Sequence, residues 1–124
     1  MMVRLTRDSV AMGDDTDAPH AAELALREGA TVHEAGLALL AARYPASVSG
    51  GRATWVLTVD GGAPLAVLAQ QWAEPRALPG ADGPLARFAS PDGAVRLHLV
   101  YRTQRDPDAE WSRLAGGAPL FDRP

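Results

Sequence analysis

Two alternating apolar runs on either side of a glycine turn constrain this chain most. The runs cover residues 53–59 and 65–72, and Asp60-Gly61-Gly62 stands between them. Glycine adopts the positive φ angles that a tight hairpin turn demands, so the sequence predicts a β-hairpin with Gly61-Gly62 as a two-residue turn. The register that follows places Trp55 opposite Leu68, Leu57 opposite Ala66, and Val56 opposite Val67.

Side chains alternate between the two sides of a strand, so this hairpin has a core face and a second face. The expected core face is apolar and consists of Ala53, Trp55, Leu57, Val59, Ala66, Leu68 and Trp72. The expected second face is half exposed to water and consists of Arg52, Thr54, Thr58 and Gln71.

The strongest helix signal begins at Thr31. The sequence TVHE is a capping box, in which Thr31 accepts a hydrogen bond from the amide of Glu34 and Glu34 reaches back to the amide of Thr31. A helix is predicted over residues 32–43. Its helical periodicity places Leu37 and Leu40 against the core face of the hairpin.

Residues 20–28 fit either a helix or a strand. Their content of alanine, glutamate, leucine and arginine favours a helix. The alternation of Ala22, Leu24 and Leu26 with other residues favours a strand. We favour the strand, because the stronger helix begins soon afterwards. A first strand is expected over residues 2–6 and 9–12, with a bend at Arg7-Asp8.

Residues after 72 form a long connection and a strand. Residues 73–83 contain several prolines and glycines, which predict a connection across one end of the sheet. Residues 84–89 predict a single helical turn that places Leu85 and Phe88 in the core. Residues 94–103 then alternate as a strand.

A second, shorter helix is predicted near the end of the sequence. Asp106-Pro107 supplies an N-cap followed by proline at the first helical position. The helix is expected over residues 107–115, with Gly116 ending it in the left-handed conformation.

The predicted order strand, strand, helix, strand, strand, strand resembles the β-grasp, or ubiquitin-like, fold. The resemblance is carried by residues 23–40, ELALREGATVHEAGLALL, and by the plug at Pro84-Leu85 before the last strand. It implies a single α+β domain over residues 1–124. In that domain a small mixed β-sheet packs on one main helix (residues 1–105), and a short helix and tail follow (residues 106–124). β-Grasp domains include modifiers, sulfur carriers, adaptors and ligand-binding domains, so the resemblance singles out no activity.

Composition limits the classes of partner. A length of 124 residues suffices for one domain with its own core. The net charge of −3, without a run of basic residues, argues against nucleic acid as a partner. The chain has no cysteine, which excludes disulfides, and no apolar window of about 20 residues that would span a membrane. It also lacks lysine, isoleucine and asparagine, which is typical of a GC-rich, bacterial-type genome. We expect a cytoplasmic protein without a cofactor.

Polar residues interrupt the apolar pattern where the second hairpin strand ends. Two glutamines precede a tryptophan, a glutamate and an arginine, and Arg52 is expected opposite Gln71. Side chains that converge there would bind a peptide or an anionic small molecule. The predicted binding residues are Arg52, Gln70, Gln71, Trp72, Glu74 and Arg76. In the alternative, the glutamines lie on the wet face, Trp72 lies in the core, and Glu74 pairs with Arg76 on the surface.

The densest cluster of metal-capable side chains is Asp14, Asp15, Asp17 and His20. Closely spaced oxygen ligands suit a hard divalent cation, and His20 adds a nitrogen ligand. The spacing lacks the glycine and the glutamate of a calcium-binding loop. The alternative is a solvated acidic loop.

No motif for nucleophilic catalysis surrounds the serines or the three histidines, so no catalytic residue is predicted. The expected function is a binding or adaptor domain that engages a protein partner. It would do so through a sheet edge or through the Arg52/Gln71/Trp72/Glu74/Arg76 end of the hairpin. One alternative is a small metal-dependent enzyme or metal-binding protein that uses the acidic loop. Another is a homodimer that pairs edge strands or buries Trp111.

Overall fold

The computed structural model describes residues 1–9, 20–45, 51–60, 62–102 and 105–120. This part of the chain forms a six-stranded mixed sheet with two helices, so the predicted α+β class is confirmed. Across the sheet the order is β2-β1-β6-β3-β4-β5; β1 and β6 run parallel, and all other neighbours run antiparallel. The elements are β1 (Met2–Arg7), β2 (Ala22–Ala25), α1 (Val32–Ala41), β3 (Thr54–Val59), β4 (Pro64–Ala69), β5 (Arg76–Ala77), a 3-10 turn (Leu85–Phe88), β6 (Val95–Tyr101) and α2 (Pro107–Ala115). Within the described ranges, neither helix is long and apolar enough to cross a bilayer.

The β3–β4 hairpin has the predicted register over most of its length. Trp55 lies opposite Leu68, Val56 opposite Val67, and Leu57 opposite Ala66. The predicted two-residue turn is wrong, because the register shifts after Leu57 and Thr58 lies opposite Pro64. The amide of Val59 donates to the carbonyl of Ala63 at 3.0 Å, so the loop between them spans three residues. Of these, Gly61 lies outside the described residues.

Within its strands, the second face of the hairpin is buried, not half exposed as the sequence predicts, whereas Arg52 and Gln71 beyond the strand ends are exposed. Thr54 and Thr58 are both 0% exposed. The Thr54 hydroxyl donates to the carbonyl of Arg105 at 2.6 Å, and the Thr58 hydroxyl donates to the carbonyl of His98 at 2.8 Å. These bonds satisfy the polar atoms that suggested contact with water. Helix α2 lies on this side of the sheet, where Arg76 of β5 pairs with Asp108 of α2.

Helix α1 lies on the opposite side, where Leu40 borders the same cleft as Trp55 and Leu68. Half of the predicted capping box is present: the Thr31 hydroxyl accepts a hydrogen bond from the amide of Glu34 at 3.1 Å. The Glu34 carboxylate does not return to Thr31 but pairs with Arg27. The helix ends at Ala41, two residues earlier than predicted.

The predicted buried face of α1 is partly wrong. Leu37 is 37% exposed, and it is one of the exposed large apolar side chains of the described residues. The buried residues are Val32, Ala35, Gly36 and Leu39. The helix is therefore rotated so that Leu39, and not Leu37, packs in the core.

Most of the remaining elements match the prediction. Residues 20–28 contain the strand β2 and not a helix. Leu85 is fully buried and Phe88 partly buried in the predicted helical turn, and β6 and α2 form where expected. Strand β5, within the predicted connection, is new. The part of the predicted first strand at residues 10–12 lies outside the described residues.

Gly117, and not Gly116, takes the left-handed conformation at the end of α2. Gly116 has φ −80°, whereas Gly117 has φ +89°. The amide of Ala118 donates to the carbonyl of Arg113 at 3.2 Å, and the amide of Gly117 donates to the carbonyl of Leu114 at 3.0 Å. These two bonds define a Schellman motif with Gly117 at C′.

We expect Gly117→Ala to lower the free energy of unfolding by about 1 kcal/mol, because alanine is disfavoured at positive φ. Gly116→Ala is the matched control, since φ at Gly116 is already negative and an added methyl would meet the Ser112 carbonyl oxygen at 3.4 Å, an ordinary contact. Urea unfolding of both variants measures the effect. Equal losses in the two variants would contradict the assignment.

Candidate functional site

Arg76 contacts two tryptophans at the outer end of the hairpin. Its guanidinium lies 4.2 Å from the centre of the Trp72 ring and 5.7 Å from that of Trp111. A hydrogen bond of 2.9 Å from Nη1 to Asp108 holds the guanidinium in place. Arginine over an aromatic ring is a favourable cation–π arrangement. We call the group of exposed Gln71, Glu74 and Arg76 and partly buried Trp72 the Trp72–Arg76 surface.

Local structure explains how these side chains reach the surface. Strand β4 ends at Ala69, and a turn follows in which the amide of Trp72 donates to the carbonyl of Ala69 at 3.0 Å. Trp111 reaches β5 from α2, and its indole N–H donates to the carbonyl of Ala77 at 3.0 Å. That carbonyl points away from β4, so Trp111 covers part of the outer edge of β5.

The other predicted binding residues take different partners. Glu74 does not pair with Arg76; its carboxylate lies 3.7 Å from His33 of α1. Gln70 turns back, and its Oε1 accepts a hydrogen bond from the amide of Ala53 at 3.2 Å. Arg52 is exposed, and within the described ranges no hydrogen bond joins it to the Trp72–Arg76 surface. The surface therefore has Arg76 and Trp72 at its centre.

A cleft adjoins this surface on the α1 side of the sheet. It measures about 310 Å³ and is lined by Leu40, Arg43, Trp55, Leu68, Gln70 and Trp72, among others. Trp55 is only 1% exposed, and within the described part of the chain its indole Nε1 has no hydrogen-bond acceptor. A buried donor without an acceptor costs about 1–3 kcal/mol, so this donor needs a physical explanation.

A hydrogen-bonded chain of hydroxyl, imidazole and carboxylate links β1 to β6. The Thr6 hydroxyl lies 2.7 Å from Nδ1 of His98, and Nε2 of His98 lies 2.8 Å from Oδ1 of Asp8. An ionised carboxylate only accepts hydrogen bonds, so it fixes a proton on Nε2. Asp8 also accepts a hydrogen bond of 2.9 Å from the amide of Tyr101. Sequence analysis missed this series of hydrogen bonds because it joins residues about 90 positions apart.

Beside Thr6 lies a larger cleft of about 590 Å³, which is lined by the charged residues Arg4, Glu23, Asp60 and Arg96 among others. Arg96 binds Asp92 through two nitrogens, at 2.7 and 3.2 Å. The hydrogen bond from Arg96 lowers the pKa of Asp92 to about 2. Arg4 lies opposite Glu23 on the neighbouring strand.

Asp14, Asp15 and Asp17 of the predicted metal site lie outside the described residues. His20 is described, and its Nε2 lies 3.0 Å from the hydroxyl of Ser9. Within the described ranges, no group of three or more histidine, aspartate or glutamate side chains is placed to hold a metal ion. The metal site therefore stays a prediction.

Sequence analysis also missed a buried carboxylate on α2. Glu110 has a side chain only 2% exposed, and Nε of Arg102 donates to it at 2.8 Å. Arg113 donates through Nε and Nη2, each at 3.0 Å, and Arg105 lies 3.4 Å away. The helical spacing of Glu110 and Leu114, four residues apart on one face, was the available signal. The cluster anchors α2 against the end of β6.

A comparison with models of protein families found no match, and neither did comparisons with curated proteins and with solved structures. The function is therefore argued from the geometry of these sites.

Proposed function

We propose that this chain is a small binding domain of β-grasp-like topology that engages a protein partner through the Trp72–Arg76 surface. The observation that carries the proposal is the stacking of the Arg76 guanidinium over Trp72, at 4.2 Å. Tryptophan and arginine supply much of the binding energy in protein interfaces. Because Asp108 already orients Arg76, less conformational entropy is lost when a partner binds.

The strand arrangement supports the β-grasp part of the proposal. The first strand, β1, lies parallel to β6, which is the last strand in sequence. They are neighbours inside the sheet, with β2 beside β1 and the β3–β4 hairpin beside β6. Helix α1 connects the β1–β2 pair to that hairpin.

The two sheet edges differ as docking sites. At one edge β5 has only two residues, and the outward carbonyl of Ala77 is occupied by Trp111. At the other edge β2 has four residues, and Glu23 and Ala25 are exposed. A partner that extends the sheet, including a second copy of this chain, would use β2. The preordered stacking of Arg76 favours the Trp72–Arg76 surface over that edge.

Affinity purification from the native host tests the proposal. The double variant Trp72→Ala, Arg76→Ala is expected to lose at least about 90% of a specific partner, as removal of two central interface residues predicts. Arg76→Glu alone should do the same without removing a partly buried ring. Circular dichroism establishes that each variant is folded.

The matched control is Met2→Ala, Arg87→Ala. It removes an exposed apolar side chain of β1 and an arginine that lies 4.8 Å over the ring of Phe88. This control should keep the partner. Equal recovery of the partner by all variants would exclude the surface as the interface, and light scattering would show whether the partner is a second copy.

A further inference from the structure

We propose that the cleft between the end of α1 and the β3–β4 hairpin binds a small monocarboxylate with an apolar body. Its carboxylate would accept a hydrogen bond from the indole Nε1–H of Trp55 and pair with Arg43. This ligand site goes beyond the proposed protein-binding function and does not depend on it.

The first observation is the buried donor. Trp55 is 1% exposed, and its Nε1 has no acceptor among the described residues. The other two tryptophans serve as comparisons: the Trp111 indole donates to Ala77, and Trp72 is only partly buried. Trp55 is one of the residues that line the cleft, so we infer that the external acceptor lies there. A bound acceptor explains a donor that the protein itself leaves unsatisfied.

The second observation is the conformation of Arg43. Its φ is +54°, and it occupies the C′ position after α1, where glycine is usual. The amide of Tyr44 donates to the carbonyl of Leu39 at 3.1 Å, and the amide of Arg43 donates to that of Leu40 at 3.0 Å, as in a Schellman motif. Residues with a strained backbone cluster at ligand sites, which motivates a role for Arg43. Arg43 lines the cleft.

Charge and polarity define the class of ligand. Among the described residues that line the cleft, Arg43 alone is charged, so the cleft favours an anion. Leu40, Leu68 and Trp72 supply apolar walls for the rest of the ligand. The two oxygens of a carboxylate accept hydrogen bonds from an indole N–H and from a guanidinium together. The cleft volume of about 310 Å³ lies at the small end of ligand sites, which run from about 300 to 1,000 Å³.

Titration of the full chain with phenylacetate, followed by proton–nitrogen NMR, tests the site. The three tryptophans give three indole signals. We expect the Trp55 and Trp72 signals to shift along one saturation curve. The Trp111 signal should stay in place, because its N–H already has an acceptor. Phenylacetamide, which has the same ring without the charge, should bind at least about tenfold more weakly.

Two variants separate a ligand site from a purely structural role. Trp55→Phe keeps an aromatic ring but removes the donor, and it should weaken phenylacetate binding. Arg43→Gly should weaken binding about tenfold while raising Tm by roughly 4 °C, because glycine relieves the positive φ. Arg87→Ala removes an arginine outside the cleft and should change neither the affinity nor the indole shifts.

Each outcome of the titration either supports or overturns the proposed ligand site. A shift of the Trp55 signal that Arg43→Gly weakens supports the site. No shift of that signal up to about 10 mM phenylacetate would overturn it and leave a bound water as the acceptor. Equal binding of phenylacetate and phenylacetamide would overturn the assignment of a carboxylate. Because these readouts use the isolated chain, they do not depend on whether a protein partner exists.

Discussion

Glu110→Gln is expected to lower the free energy of unfolding by about 3–5 kcal/mol, the range seen when one partner of a buried ion pair is removed. The side chain of Glu110 is 2% exposed and that of Arg102 is 6% exposed. The variant removes the carboxylate charge that faces three guanidinium groups in this site. Urea unfolding at neutral pH measures the loss.

A matched control lies on the same helix. Asp108 also pairs with an arginine, but its side chain is 66% exposed. Exposed ion pairs contribute about 1 kcal/mol or less, so Asp108→Asn should have a small effect. Equal losses of unfolding free energy in the two variants would show that burial does not strengthen the ion pairs of Glu110.

The same carboxylate predicts a pH dependence. Burial alone would raise the pKa of Glu110, but the hydrogen bond from Arg113 and the charges of Arg102, Arg113 and Arg105 together outweigh it and lower the pKa below its ordinary value of 4.5. A carboxylate whose pKa is lowered by folding stabilises the fold above its unfolded-state pKa, and this contribution is lost as the pH falls through the folded-state pKa.

The stability difference between wild type and Glu110→Gln should therefore be complete at neutral pH and shrink below pH 4.5. Urea unfolding of both proteins between pH 7 and the acid limit of folding measures it. A difference that stays constant with pH would mean that Glu110 stabilises α2 by packing and not by charge.

Alternation along the strands predicted the sheet better than it predicted the hairpin turn. Period-two alternation identified β2, whereas the register of β3 with β4 was derived from a two-residue turn at Gly61-Gly62. That turn is wrong, because the loop has three residues. The register from Trp55 to Leu57 nevertheless holds, because the shift between Leu57 and Thr58 places one extra residue, Leu65, in β4.

The prediction of exposure from polarity was wrong where a threonine hydroxyl donates to a backbone carbonyl. Thr54 and Thr58 suggested a wet face, yet both are buried and hydrogen-bonded. The amphipathic pattern of α2 indicated a helix that packs on the protein but not which face of the sheet it covers. Sequence analysis had no means to place α2 over these threonines, since the contact joins segments about 50 residues apart.

The candidate site was predicted in composition but not in arrangement. Trp72 and Arg76 were singled out because polar residues interrupt a strand pattern. Trp111 was not expected there, because only the docking of α2 brings it next to β5. Arg43 was predicted as the last residue of α1 from helical periodicity, and no local sequence signal indicates its left-handed conformation.

Gly36→Val is expected to lower the free energy of unfolding by about 3 kcal/mol, at the upper end of the usual effect of overpacking. Gly36 is buried in α1, and an added Cβ would lie 2.7 Å from both Cβ and Cγ of Pro75. Pro75 is itself buried, and its ring cannot rotate away as a flexible side chain does. Gly36→Ala should lose less, since alanine is smaller and gains about 1 kcal/mol in helix propensity.

This contact also fixes the Trp72–Arg76 surface, because Pro75 stands between Glu74 and Arg76. Pro75→Gly removes both atoms that the new side chain would meet, so adding it to Gly36→Ala should restore part of the lost stability. A double-mutant cycle by urea unfolding measures the coupling, and purely additive losses would contradict the close contact. We expect Gly36→Ala to displace Pro75 and so to weaken partner recovery, although Arg76 and Trp72 are unchanged. Such a result would show that binding depends on the position of the Trp72–Arg76 surface as well as on its residues.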